Sequence, residues 1–365
     1  MNDEIKISKS FTVKDWKELR PHLLESNEKW NIAYEIFEDR LNSRFFNPIE
    51  LIKANRKNEG EGFSITLISV VMLECLAAFE HGKIYRTNKE RLSPCEYYSG
   101  IRLLKLFFNN SNVFKPYFSS NTKIDKFYEN IRCGLVHEAR TLNNDVIISE
   151  SSIKNTRNED IYFNEDGEGR LNRDLLLSKI REHIEDFKLR IIQNNAISRN
   201  NFILKMDEIS GIKHVWYFIY GSNLLKFQLE NRLNDLSEIY LQKERCSLKG
   251  FKFIYNKKSI DGSSKANIFE TPNGIVKGVA ILIQESKLDE FIKMWEPGYE
   301  KLEVIISTEN NLDKNEELSF KAYTCFSTKI ISLPPSSNYV SKIIEGANEN
   351  GLPTEYINKY LKYNE

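Results

Sequence analysis

The sequence predicts an α+β protein in two parts: an all-α helical bundle in front, and a mixed β-barrel with short helices behind. Three observations predict it. Apolar residues recur at helical spacing through most of the first two hundred positions. The run QNNAISRNN, residues 193–201, is polar and breaks that pattern. From His214 onward, β-prone segments alternate with short helical ones. These features divide the chain into a domain over 1–195, a linker over 196–213 and a second domain over 214–365. A chain of 365 residues is long enough for two cores.

Composition narrows the classes. The hydrophobic fraction is 41%, with 17 Tyr and 22 Phe, enough to bury two cores and too much for wholesale disorder. Fifty-two basic side chains balance 52 acidic ones, and the balance holds in both halves. No net field announces a nucleic-acid partner. Cys75, Cys95, Cys133, Cys246 and Cys325 are an odd, scattered set without Cys-x-x-Cys, as expected of reduced thiols in the cytoplasm. The five His and five Cys show no metal-ligand spacing, so neither a metal nor another cofactor is expected. The start, MNDEIKISKS, has no signal-peptide pattern. The most apolar stretch, Phe63 to Phe79, carries Glu74 and is shorter than a bilayer span requires; a buried helix is expected, and no membrane partner.

Front elements follow in order. Asp15–Leu24 is a short amphipathic segment. A longer helix is expected from Lys29 to Phe46, stopping before Asn47-Pro48, because proline disfavours helix in the preceding residue. Phe63–Phe79 is apolar almost all round and suits a central core helix, closed by His81-Gly82. In KIDKFYENIRCGLVHEAR, residues 123–140, Ile124, Phe127, Tyr128, Ile131, Leu135 and Val136 fall at helical spacing. Val146–Ile148 and Ile161–Phe163 are expected to pair as a small hairpin. Leu176 through Ile191 marks a last amphipathic helix.

Within the fourth of these lies Arg132-Cys-Gly-Leu-Val-His137. The Arg-x-x-x-x-His spacing, with GEGFSI at 60–65 and YENIRCGLVHEA at 128–139, resembles HEPN domains. The resemblance implies a metal-independent ribonuclease site. His137 would handle the proton of the ribose 2′-hydroxyl. Arg132 would fork onto the phosphate. Residues five apart on an ideal helix point roughly 140° apart. A shared site therefore needs a distortion, a long reach or a second chain, and the family answer is a homodimer with RNA across its cleft. The alternative is that Arg132 and His137 are ordinary polar residues of a helix surface or dimer interface.

In the back half, strands are expected over His214–Tyr220, Leu248–Tyr255, Ala266–Glu270, Ile275–Ile283, Tyr299–Ile306 and Phe320–Phe326, with a Thr271–Gly274 turn joining two of them. Helices are expected at 223–233, 286–295, 338–348 and after Pro353. A strand entering Tyr220-Gly221-Ser222-Asn223 and leading to a helix, followed in order by SSKANIFE, IVKGVAILI, LDEFIKMWEPGYEKLEVII, AYTCF and PSSNYVSKIIEGANENGLPTEYI, resembles the gamma-glutamylcyclotransferase-like (AIG2-like) family.

That resemblance implies a small γ-glutamyl ligand. Its carboxylate would sit on the backbone N–H groups at residues 220–223, where glycine lets the backbone come close. Glu296 would be the catalytic carboxyl, and Tyr299 would line the pocket. Lys293 stands where the family pattern has Asp, and Pro297 where glycine is common. The chemistry needs one carboxyl group. The substrate α-amino group must lose a proton to attack its own side-chain amide, and the leaving amine must gain one. Ring closure is intramolecular, so positioning supplies much of the rate. The product would be 5-oxoproline.

Three functions remain open from sequence. One is a cyclotransferase with a HEPN-like dimerising domain. The second is a HEPN ribonuclease effector of phage defence or a toxin–antitoxin pair, regulated by the rear domain. The third is a binding protein with neither activity.

Overall fold

The computed structural model describes residues 1–55, 60–149, 160–165, 168–309 and 317–363. Residues 1–85 and 97–211 form one unit, and 86–96 with 212–365 form another.

The first unit is mostly helical. The expected Asp15–Leu24 segment is α1 (Val13–Leu19) followed by a 3-10 turn over Arg20–Leu24. Then come α2 (Asn27–Leu41) and α3 (Asn47–Ala54). The expected stop before Asn47-Pro48 does not occur. Asn42–Phe46 is a π-turn in which the Asn47 N–H donates to the Asn42 carbonyl. This wider turn delivers Pro48 into the first turn of α3, where a missing N–H costs nothing. The central helix is α4 (Glu61–Glu80), which packs against α3, α5 (Gly100–Asn110), α8 (Arg173–Ile192) and α9 (Ala196–Ile209). At 20 residues α4 is longer than its sequence suggests, and by length and apolarity alone it could cross a membrane. Its Ile65, Met72, Leu73 and Phe79 are buried within this unit. Between α5 and α8 lie α6 (Asn121–Lys126), a π-helical segment Phe127–Cys133 and α7 (Gly134–Glu138).

The expected hairpin is replaced by a three-stranded sheet. Strand β3 (Glu168–Asn172) lies between β1 (Val146–Ile148), parallel to it, and β2 (Tyr162–Glu165), antiparallel to it. The polar stretch that would join the two arms of the expected hairpin falls mainly on 150–159, outside the described residues.

The stretch 196–213, expected as a linker, is largely α9. Its polar opening is helix-capping chemistry: the Asn195 side chain accepts from the Ser198 N–H. Several of its polar side chains are buried with partners. Asn201 donates to the Glu80 carbonyl, and the Arg199 Nε–H donates to the Ile191 carbonyl. Phe202 is fully buried among Trp16, Trp30, Phe37, Phe79 and Phe187, with ring centroids 5.6 to 6.4 Å away. The first unit therefore ends at Gly211.

The second unit is built on a closed five-stranded barrel. Its strands are β4 (His214–Ile219), β5 (Gln242–Lys258), β6 (Ser264–Gln284), β7 (Glu300–Thr308) and β8 (Ser319–Phe326), in the order β8-β4-β6-β5-β7. Strand β8 runs parallel to β4 and antiparallel to β7. The Thr271–Gly274 turn is absent, because β6 is continuous through it. Between the pairs Lys249–Ile275 and Phe251–Glu270 the register shifts, so that four residues of β6 bulge opposite Gly250, which has φ +83°. The helices fall near their expected places: α10 (Lys226–Asn234), α11 (Glu285–Trp295), α12 (Ser337–Glu349) and α13 (Thr354–Tyr356), the last continued by a π-turn.

One glycine fixes how β4 leaves the barrel. A Cβ on Gly278 would lie 2.1 Å from the Ile219 carbonyl oxygen. Backbone cannot swing away as a flexible side chain can. Gly278→Ala is expected to destabilise the barrel by about 1–3 kcal/mol, read as a lower urea midpoint at unchanged m-value.

Candidate active site

Strand β4 ends at Ile219 and delivers Tyr220-Gly221-Ser222-Asn223 at one end of the barrel. Ser222–Leu224 turns as a short 3-10 helix and leads into α10. The first N–H groups of such a turn have no partner inside it. A Cβ on Gly221 would stand 3.5 Å from Ala266 Cβ and 3.6 Å from the Tyr339 hydroxyl, an ordinary packing distance. Both neighbours line the hollow described next, so this glycine leaves room there rather than relieving a clash. Gly221→Ala is expected to melt like the wild type and to raise KM for a ligand that uses the loop, measured by steady-state kinetics.

Glu296 comes from the opposite side. It caps the end of α11, and the Tyr299 N–H donates to its carbonyl at 3.1 Å across Pro297-Gly298, with Gly298 at φ +81°. Proline followed by a left-handed glycine is the pattern of a type II turn. The departure at Pro297 is thus a turn residue in its preferred place. Lys257, itself buried, donates from Nζ to the Pro297 carbonyl at 2.7 Å and pins the turn to β5. Lys293 is exposed on α11.

The Asn223 amide donates to Glu296 Oε1 at 2.6 Å. Burial raises the Glu296 pKa to about 7, against the opposing pull of Arg232, Lys257 and the Asn223 hydrogen bond. Glu296, Asn223, Gly221, Ser222, Tyr220, Tyr299, Cys325 and Tyr339 all border one hollow of about 30 Å³. That volume holds one or two waters. Two tyrosines grip the backbone of Ala266: Tyr299 donates to its carbonyl at 2.5 Å, and the Tyr339 oxygen accepts from its N–H at 3.2 Å. Tyr220 donates to the Cys325 carbonyl at 2.5 Å. Burial pushes the hydroxyls of Tyr220 and Tyr299 well above the usual tyrosine range, so they stay protonated donors.

A family model described as AIG2-like matches residues 282–360. The gamma-glutamylcyclotransferase of Bos taurus is 33% identical over 151 residues, which is 39% of this chain and 75% of that protein. The chain belongs to the gamma-glutamylcyclotransferase family. The family member from Homo sapiens is 32% identical over the same length and shares. A solved gamma-glutamyl cyclotransferase is 31% identical, covering 42% of this chain and 89% of its own, with a TM-score of 0.36.

Outside the gamma-glutamylcyclotransferase-like unit, the Arg132–His137 pair has a different setting. Arg132 lies in the π-helical segment and forks onto Glu74 of α4, Nε to Oε1 at 2.7 Å and Nη2 to Oε2 at 3.2 Å. It also lies over the Tyr128 ring. The guanidinium face expected to hold a phosphate is occupied by this carboxylate. His137 is exposed on α7, and no hydrogen bond joins it to Arg132 among the described residues.

Sequence reasoning missed Arg232, Gln228, Lys257, Cys325 and Tyr339. Tyr339 and Cys325 lie inside quoted blocks, but nothing in the blocks says which side chains turn inward. Arg232 and Gln228 follow Asn223 at nine and five positions, which reads only as a polar helix face.

Proposed function

We propose that the second unit is a cyclotransferase that releases 5-oxoproline from a γ-glutamyl amine or peptide. Glu296 is its acid–base residue. The observation that carries this reading is a half-buried carboxyl, raised to about 7, bonded to the Asn of the Tyr-Gly-Ser-Asn loop. Near neutral pH such a group is poised both to accept and to return a proton. The gamma-glutamylcyclotransferase activity named for the relatives agrees with it.

The residues divide the work. The γ-glutamyl head lies on the loop at 220–223, its carboxylate facing the N–H groups at the start of the 3-10 turn. Ionised Glu296 takes a proton from the α-amino group. The freed amine attacks the γ-carbonyl carbon, and Glu296 passes its proton to the departing amine as the C–N bond breaks. The surplus proton left on the ring nitrogen follows by the same carboxyl, which leaves a neutral lactam and a protonated amine. Tyr220 and Tyr299 close the pocket walls and keep bulk water from the reacting carbonyl.

The test is incubation with a panel of γ-glutamyl amino acids and γ-glutamyl amines, with 5-oxoproline read by mass spectrometry. Product that appears with the wild type and is lost in Glu296→Gln supports the reading. No product across the panel overturns it.

A further inference from the structure

The amide of Asn223 is held from behind. Its Oδ1 accepts from Arg232 Nη1 at 2.6 Å and from Gln228 Nε2 at 3.3 Å, while its Nδ2 donates to Glu296. Gln228 Nε2 also donates to Ser222 Oγ at 3.0 Å, tying the same helix face to the loop. Arg232 is steadied over the Trp295 ring, 5.1 Å from its centroid, beside Glu296 in the chain. An asparagine amide has two faces of opposite polarity. Turned over, it would set its oxygen against the Glu296 carboxylate and its NH2 against two cationic or amide donors. Asn223 itself is buried, so no solvent offsets that mismatch.

We propose that Arg232 and Gln228 are positioning residues, which hold the Asn223 amide in the one orientation that donates to Glu296. Among the described residues no hydrogen bond joins either of them to Glu296, and each acts through Asn223. The pair Asn223–Glu296 is therefore one end of a relay that begins on the outer part of α10. A donor to a carboxylate favours its charged form. Loosening the amide should leave Glu296 harder to ionise.

This role rests on the reading of Glu296 given above, so the experiment uses a signal that needs no substrate. The full chain is labelled at the glutamate side-chain carboxyl carbon, and the Glu296 resonance is assigned by its loss in Glu296→Gln. Its titration midpoint is then followed by NMR. Gln228→Leu is the decisive arm, because a neutral residue has no through-space charge to remove. It is expected to move the midpoint upward by roughly half a pH unit, the scale of one lost neutral hydrogen bond, since Arg232 still holds Oδ1. In an Asn223→Ala background the same substitution is expected to move nothing. Arg232→Met should also raise the midpoint, and Arg232→Lys, which keeps a donor, should bring it back toward the wild type. If the Leu variant does not fold, Gln228→Met takes its place.

An unmoved midpoint in the Gln228 variant, or an equal movement without Asn223, overturns the proposal. A moved midpoint in a protein that makes no 5-oxoproline would keep the positioning role and sink the cyclotransferase reading. Turnover with an unmoved midpoint would do the opposite.

Discussion

Glu296→Gln is expected to cost about 10²–10⁴ in kcat, the usual worth of a positioned acid–base group. Glutamine keeps the shape and can still accept from Asn223, so the loss reports proton transfer rather than collapse. Substrate binding should change little. In the wild type, attack requires the ionised carboxylate, so kcat/KM should rise with pH through about 7 and level off above it. The same substitution has a second effect, of opposite sign for the fold. The Glu296 pKa is raised from 4.5 to about 7 in the folded chain, so the folded state holds this proton more tightly than the unfolded state. Its favourable contribution is full below pH 4.5 and is lost as the pH rises through 7. At pH 8 the buried charge costs on the order of 3 kcal/mol, and Glu296→Gln is expected to raise the melting temperature there and not at pH 4. A variant that is less active and no more stable at pH 8 would mean that the carboxyl is not desolvated.

Phe202→Ala is expected to destabilise the helical unit by about 3–5 kcal/mol. The ring is fully buried at the meeting point of α1, α2, α4, α8 and α9, with five aromatic neighbours. Truncation leaves a cavity whose walls belong to separate helices, and rigid helices cannot all collapse inward at once. Calorimetry is the suitable measurement, because two units can melt separately and a single midpoint would blur them. The expected result is a lowered transition for the helical unit. An unchanged scan would mean that α9 does not belong to the core.

The barrel was largely legible in the sequence because its strands are rich in aromatic and β-branched residues and its loop is a contiguous motif, Tyr220 to Asn223. Glu296 could be singled out only through the family resemblance, whose ordered blocks place it after a helix and before a tyrosine-bearing strand. The geometry around it was not legible. Whether Asn223 offers its oxygen or its nitrogen to Glu296 depends on Arg232 and Gln228, and no local pattern carries that. The bulge at Thr271–Gly274 looked like a turn because Pro-Asn-Gly is turn chemistry; pairing with β5 on both sides kept the strand whole. In the helical unit, Pro48 and Arg132 both sit in or beside π-turns. A single π-turn only shifts the phase of the apolar pattern locally, and over segments this short the periodicity does not reveal it. The polar opening of α9 misled because Asn195 is a helix cap, while Arg199 and Asn201 find their partners on other elements that the local sequence does not reveal.

The burial of α9 matters to anyone who wants to work with pieces of the protein. A fragment stopped at residue 195 would leave Trp16, Trp30, Phe37, Phe79 and Phe187 without the helix that covers them, and a sticky aromatic face of that kind invites clumping. A fragment begun at 196 would carry Phe202, Ile203 and Met206 as an oily tail with nothing to bury it. Moving the cut to follow Gly211 keeps that helix with the rings it belongs to.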